Sequence, residues 1–428
     1  MESEKKRPRE EPTENPDPKI CSFYLSRKRR FCKTECKPGS KYCHTHCATS
    51  STPDAADTAL DRRVPCPING NHTVYASRLQ QHIKVCPDLR HLTNDLPYFS
   101  ENLHANKGTV YESPNSEEGR LSDEEQQTLI QRIRESFTQG IQSEMCQLPD
   151  EYTRDLQLHD ISSKKHPPQH HALLKCVDYI HVLASSTEEW KCHGFVELGA
   201  GKGGLTLALQ DVLLHRSTSE ETFPFVKRVE EDCKLFVVDM GGFRRKADAR
   251  VSHSALPMSR WRINLKDLCM TRALAEEQDV AAPLRLTILG KHLCGACSDF
   301  AASCCTEGPL LEGPTAVKAV VIATCCHHRC ELKHLNAFSV EGENSALTLP
   351  GTNFKITQRE FAAMVRMTSW AVSGKVVDEE KRTTGLCCKR VIDMWRVLFL
   401  REKGFQAKLC VYTTRDVTEE NVCILAWR

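Results

Sequence analysis

Between Lys19 and Cys47 lie five cysteines, two histidines and few apolar side chains. A segment this short with so little to bury has one route to a fold, a bound metal. Cys21, Cys32, Cys43 and His46 are spaced C-x10-C-x10-C-x2-H, and four N/S ligands suit tetrahedral zinc. Cys36 and Cys47 are spare thiols that could replace one of the four, and an unliganded cysteine-rich tail is the plainer reading. The run Arg27-Lys28-Arg29-Arg30 lies between ligands, beside Phe23, Tyr24 and Phe31. Basic groups interleaved with aromatics fit phosphate contact and base stacking. A solvated basic loop would look the same.

A second group follows. Cys66, His72, His82 and Cys86 are spaced C-x5-H-x9-H-x3-C. His82 and Cys86 are four apart and share one face of a helix predicted over 77–85. Cys66 and His72 would come from a hairpin-like turn around Asn69-Gly70. Val64–Pro87 resembles the CHHC finger of a minor-spliceosome snRNP protein and of certain tRNA-modifying enzymes. That resemblance implies an RNA-binding module. The chain holds 23 cysteines in 428 residues, short of the roughly 8–10% of a disulfide scaffold. Clustered thiols then read as metal ligands or small buried hydrophobes of a reducing compartment.

Charge is segregated although the net is only +2. Residues 19–47 carry eight Lys/Arg and one Glu, and residues 112–160 carry four Arg and twelve Asp/Glu. Residues 1–18 read as a charged, disordered tail. Lys5, Lys6, Arg7 and Arg9 fit either an import signal or a solvated tail, so residence in the nucleus or cytoplasm is expected. The sequence MESEKKRPREE has no apolar h-region, and no apolar run nears the ~18 residues of a membrane span. Residues 48–63 read as a linker. Residues 121–148 read as an amphipathic helix with a Ser122–Glu125 capping box, within an acidic helical or coiled-coil segment over 112–150.

From about residue 165 to 428, helices alternate with apolar strands, the pattern of an α/β domain. Strands are predicted over 194–198, 234–238, 284–289, 317–323, 406–413 and 421–426, and helices over 171–185, 203–214, 359–371 and 389–403. Glu197-Leu198-Gly199-Ala200-Gly201-Lys202-Gly203-Gly204 follows a strand and opens a helix. Gly199, Gly201 and Gly204 satisfy the dinucleotide pattern G-x-G-x-x-G. Glu197 favours another reading, because a carboxylate repels a pyrophosphate. E-x-G-x-G-x-G resembles motif I of S-adenosylmethionine-dependent methyltransferases, in which the acid helps hold the cationic methionine end. Asp239 ends the next strand, where an acid can bind ribose hydroxyls, although 38 residues separate it from Gly201. An insertion around 215–231 would account for the gap. Asp267 could meet the adenine amino group or be a surface acid.

Gly290-Lys291-His292-Leu293-Cys294-Gly295 and Cys325-Cys326-His327-His328-Arg329-Cys330 each follow a strand. Both therefore border the crevice at the carboxyl ends of an open sheet. The order of basic Cys3His segment, CHHC finger, ELGAGKGG, KHLCG and CCHHRC closely resembles the eukaryotic tRNA 2′-O-methyltransferases that modify position 4 of the acceptor stem. The resemblance covers about residues 20–428. It implies a Rossmann-like methyltransferase domain with two small N-terminal zinc modules, S-adenosylmethionine and zinc as cofactors, and tRNA as partner. It also implies methyl transfer to a ribose hydroxyl, with Lys291 or His292 placed to act as base or orienting group. His327 and His328 are rivals for that role. Cys325, Cys326, His327, His328 and Cys330 could form a third metal site with Cys294, or simply a packed wall of the pocket. A non-catalytic RNA-binding adaptor, a nicotinamide-dependent oxidoreductase and a methyltransferase acting on protein or another RNA are the alternatives.

Overall fold

The computed structural model describes residues 15–25, 30–36, 39–43, 63–67, 73–86, 95–105, 120–153, 167–185, 190–241, 256, 258–277, 283–336, 347–371 and 378–428. The chain divides into two units, Met1–Cys86 and Pro87–Arg428.

The first unit contains two small antiparallel pairs. Strand β1 (Tyr24–Leu25) pairs with β2 (Arg30–Phe31), and β3 (Arg63–Pro65) with β4 (Thr73–Tyr75). A 3-10 turn over Ala76–Arg78 leads into helix α1, Leu79–Val85. The buried apolar content around β1 and β2 is limited to Cys21, Cys32 and Cys43, with Phe23 and Tyr42 packed on them. No hydrocarbon core replaces a metal among these described residues.

The second unit is built on an eight-stranded sheet. Its strands are β5 (Met145–Gln147), β6 (Cys192–Leu198), β7 (Val229–Val238), β8 (Met258–Trp261), β9 (Arg285–Cys294), β10 (Ala316–Cys325), β13 (Gln406–Val411) and β14 (Val422–Trp427). The short pair β11 (Leu347–Thr348) and β12 (Lys355–Ile356) lies outside the sheet. The spatial order is β5-β13-β14-β10-β9-β6-β7-β8. All neighbours are parallel except that β14 runs antiparallel to both β10 and β13. Strand order reverses between β6 and β9, and a crevice opens at the carboxyl ends there. Setting the β5 edge aside, the order departs from the dinucleotide arrangement 3-2-1-4-5-6 by the reversed last strand, wedged between the fifth and sixth.

Alternation along each strand loads both faces. Val196, Leu198, Phe236 and Val238 join one core cluster, and Phe195, Leu235, Val321 and Leu425 the other. Both faces are covered by helices, which explains the near-continuous apolar runs of the sequence.

Helix α2 (Asp123–Ser136) has the Ser122–Glu125 capping box. It does not continue to residue 148. A widened turn over Phe137–Ile141 follows it, and Met145–Gln147 then joins the sheet edge as β5. Gly140 lies so close to Pro350 that an added Cβ would sit 2.5 Å from its carbonyl oxygen. Nothing described makes α2 a coiled coil; it buries Leu129, Ile130 and Ile133 in the main core.

The other described helices of six or more residues are α3 (Pro167–Ala184), α4 (Gly204–Leu214), α5 (Met270–Ala275), α6 (Cys297–Cys305), α7 (Gln358–Met367) and α8 (Glu379–Glu402). The long link from α4 to β7 holds short helical turns over Arg216–Ser219 and Pro224–Arg228, with Phe223, Phe225 and Val226 buried. Gly404, at φ +85°, ends α8, and Phe405 N–H closes the turn on Leu400. No described helix is long and apolar enough to cross a membrane.

Candidate active site and metal centres

The loop between β6 and α4 is shaped by its glycines. Gly199, Gly201 and Gly203 have φ of +66°, +54° and +74°, a region only glycine enters at low cost. A Cβ on Gly199 would meet the Leu293 side chain at 2.6 Å, whereas one on Gly201 would meet nothing within 4 Å. Space beside Gly201 is what a cofactor approaching the backbone requires, so the residues fit one. Asp239, just past β7, accepts the Gly201 N–H at 2.8 Å and the Gly241 N–H at 2.6 Å. Arg260 of β8 donates to the Gly201 carbonyl at 3.2 Å. Sequence reasoning missed Arg260 because β8, four residues long, was not foreseen.

Glu197 is buried on β6 and accepts from the Thr206 N–H (2.9 Å) and the Thr206 hydroxyl of α4. Burial pushes its carboxyl up to about 7, against the Thr206 bonds, Lys291 and Arg260, which favour its charge. Lys291, near the end of β9, is buried too. Desolvation brings its amine down to about 8, with Glu197 opposing the shift. His292 is exposed, because successive strand residues face opposite ways. Asp267 is buried, so it is not a surface acid; its Oδ1 accepts from Asn102 N–H and Lys266 Nζ, both at 2.7 Å.

The other side of the crevice is held by a buried network of charges. His327 Nε2 lies 2.7 Å from Asp393 Oδ1 of α8. Thr324 donates to Asp393 at 3.1 Å and Arg396 at 3.3 Å, and Arg390 lies 3.4 Å away. Arg396 also binds Asp299 (2.7 Å), the Gly295 carbonyl (3.0 Å) and Cys330 Sγ (3.2 Å). Desolvation works against charge on Asp393, yet His327, Arg390 and Arg396 hold its carboxyl well below the usual range. Burial lowers the His327 imidazole. That histidine is fully buried, with Nε2 on Asp393. His328 is exposed.

In the first unit the thiols of Cys21, Cys32 and Cys43 lie within 4.8 Å of one another and are buried. Cys36 is not in this group, and His46 and Cys47 fall outside the described residues. Cys66, His82 and Cys86 form a second such group, with Cys66 Sγ 3.8 Å from Cys86 Sγ and 3.2 Å from His82 Nε2. His72 lies outside the described residues. Tetrahedral zinc with Zn–S bonds of ~2.3 Å places sulfurs ~3.8 Å apart, so both donor sets fit that ion.

Residues 19–47 match the family described as CCCH zinc finger in TRM13 protein, and residues 63–87 the U11-48K-like CHHC zinc finger. The mouse "tRNA:m(4)X modification enzyme TRM13 homolog" is 26% identical, covering 95% of this chain and 94% of its own. The Saccharomyces cerevisiae protein "tRNA:m(4)X modification enzyme TRM13" is 24% identical, covering 95% and 96%. The Scheffersomyces stipitis protein of the same name is 28% identical, covering 94% and 98%. With residues 168–384 and 375–427 also matching the family described as Methyltransferase TRM13, the chain belongs to that family of methyltransferases.

Proposed function

We propose that this chain transfers a methyl group from S-adenosylmethionine to the ribose 2′-hydroxyl of nucleotide 4 in the acceptor stem of certain tRNAs. One observation carries the reading: a glycine loop open at Gly201 and tied to Asp239 meets a buried, depressed Lys291 where strand order reverses. The acceptor follows from relatives named as tRNA:m(4)X modification enzymes. Bound S-adenosylmethionine supplies an electrophilic methyl carbon on a sulfonium.

The chain's own residues do the rest. Gly199 and Gly201 let the backbone approach the cofactor, and Asp239 exchanges a loop N–H for ribose hydroxyls. Glu197 stabilises the cationic methionine end, with Oε2 held by both Thr206 bonds and Oε1 outside them. Asp267 takes the adenine amino group. Lys291 removes the 2′-hydroxyl proton, and His292 orients the RNA at the exposed rim. At pH 7.5 an amine near 8 is about one quarter neutral, against roughly one thousandth for an ordinary lysine. Cys21, Cys32, Cys43 and His46 hold one zinc, and Cys66, His72, His82 and Cys86 the other. These modules grip RNA by backbone and shape, since A-form grooves offer phosphates and 2′-hydroxyls. The reduced thiols fit work in the nucleus or cytoplasm.

The test is methyl transfer from labelled S-adenosylmethionine to total tRNA, with the labelled nucleotide mapped and binding measured against salt. Label on the ribose at position 4, with affinity falling steeply as salt rises, is the expected result. RNA binding without cofactor binding would replace this reading with the adaptor.

A further inference from the structure

A third thiol group lies in the second unit, away from both finger modules in sequence. Cys294, Cys325 and Cys326 bring their sulfurs within 4.8 Å of one another. Cys294 and Cys325 are register partners at the ends of β9 and β10, and their sulfurs are 3.8 Å apart. That is the separation tetrahedral zinc imposes, and the same as between Cys66 and Cys86 in the CHHC finger.

The backbone around the group is set in unusual ways. Cys326 has φ +51°, one of two non-glycine residues with positive φ among those described. Such a conformation is strained in a cysteine and persists only where surroundings fix it. Gly295, at φ +58°, presses on the other loop so closely that a Cβ would sit 2.4 Å from the Arg329 carbonyl oxygen. Arg396 clamps both loops at once through Gly295 and Cys330. Cys330 is thereby engaged elsewhere and is not part of the group.

The remaining buried cluster, His104, Cys304 and Glu307, has a structural explanation. Glu307 accepts the N–H groups of Met270 and Thr271 and caps α5. No comparable cap accounts for Cys294, Cys325 and Cys326.

We propose that Cys294, Cys325 and Cys326 bind a zinc ion, a third metal site within the methyltransferase unit. Three thiolates are a soft donor set suited to zinc, and the fourth position is left to water or an incoming polar group. The ion staples the carboxyl ends of β9 and β10, just past Lys291.

Metal analysis of the full-length protein tests this. The expected content is three zinc per chain, falling to two in C294S/C325S. A variant lacking finger ligands, C21S/C32S/C66S/C86S, is expected to keep one. In that variant, cobalt in place of zinc should give a thiolate charge-transfer band that C294S/C325S removes. The fully fingered C294S/C325S comparison decides the matter if the other variant does not fold. Two zinc in the wild type with none left after finger removal would overturn the site. So would unchanged zinc in C294S/C325S, or a Cys294–Cys325 disulfide in peptides mapped from purified protein.

Discussion

The two walls of the crevice are built on opposite principles. The wall after β6 and β7 is made of backbone. Three left-handed glycines and one carboxylate shape it, and space is left beside Gly201. The wall after β9 and β10 is made of side chains. Asp393, Arg396, His327 and Asp299 are buried and bonded to one another, and Gly295 closes against Arg329. A productive site is held by residues locked through packing and hydrogen bonds, which is what the second wall supplies. On the proposed function, the first wall binds and the second aligns, with Lys291 between them.

The sharpest break in that comparison is Gly201→Asp. A Cβ there touches nothing, so packing is spared, and the main structural cost is left-handed backbone strain of about 1–3 kcal/mol. The new carboxylate lies on the ligand's path. Methylation is expected to disappear while zinc content stays at wild-type level and the second unit remains folded. Retained activity would show that the first wall does not receive the cofactor. Lys291→Met comes next, removing the amine while conserving its length. Loss of a positioned base typically costs 10²–10⁴-fold in rate. In the wild type the rate should rise with pH as the amine loses its proton, levelling above about 8. The variant should show a flat profile over that range. An unchanged slope would move the base elsewhere.

Much of the first wall was legible in the sequence. A strand, a glycine run and Glu197 are local, and local patterns survive without knowledge of the fold. The finger spacings were legible for the same reason. The second wall was not. Lys389, Arg390, Asp393 and Arg396 lie in the helix expected over 389–403, where no local pattern gives these charges a role. All four are buried: Lys389, Asp393 and Arg396 take partners from Glu420, Asp299, Thr324 and His327, between 31 and 97 residues away, and Arg390 faces Asp393 of its own helix. The reading of α8 from residue 389 missed its first ten residues, as that part is polar. The helix expected over 121–148 widens at Phe137, where Gly140 lies against Pro350, and gives way to β5 at Met145, contacts that no local pattern records.

Asp393→Ala should affect stability more than chemistry. It strands His327 and removes one partner from Arg396, both fully buried. Removing one member of such a pair costs about 3–5 kcal/mol. The melting temperature should drop clearly, and any activity remaining at low temperature should keep the wild-type pH profile. A normal melting temperature would mean that the second wall is not held by this network.

Glu197→Gln gives the smallest effect and joins the two walls. In the wild type the carboxyl is raised to about 7 by burial. A group raised in the folded state holds its proton there between about 4.5 and 7 while the unfolded chain has released it. Wild-type stability therefore falls as pH rises through that window, by on the order of 3 kcal/mol. Glutamine cannot ionise, yet its amide oxygen can still accept the Thr206 N–H. The variant should match the wild type in melting temperature near pH 5 and exceed it near pH 8. Its affinity for S-adenosylmethionine should fall, since the field of the carboxylate is gone. The Lys291 amine, losing the neighbour that favours its charge, should shift further down and move the rising limb of the rate profile to lower pH. A variant that gains no stability at pH 8 would show Glu197 already ionised at little cost. The first wall would then be polar enough to solvate it, and Lys291 would need another reason for its depressed amine.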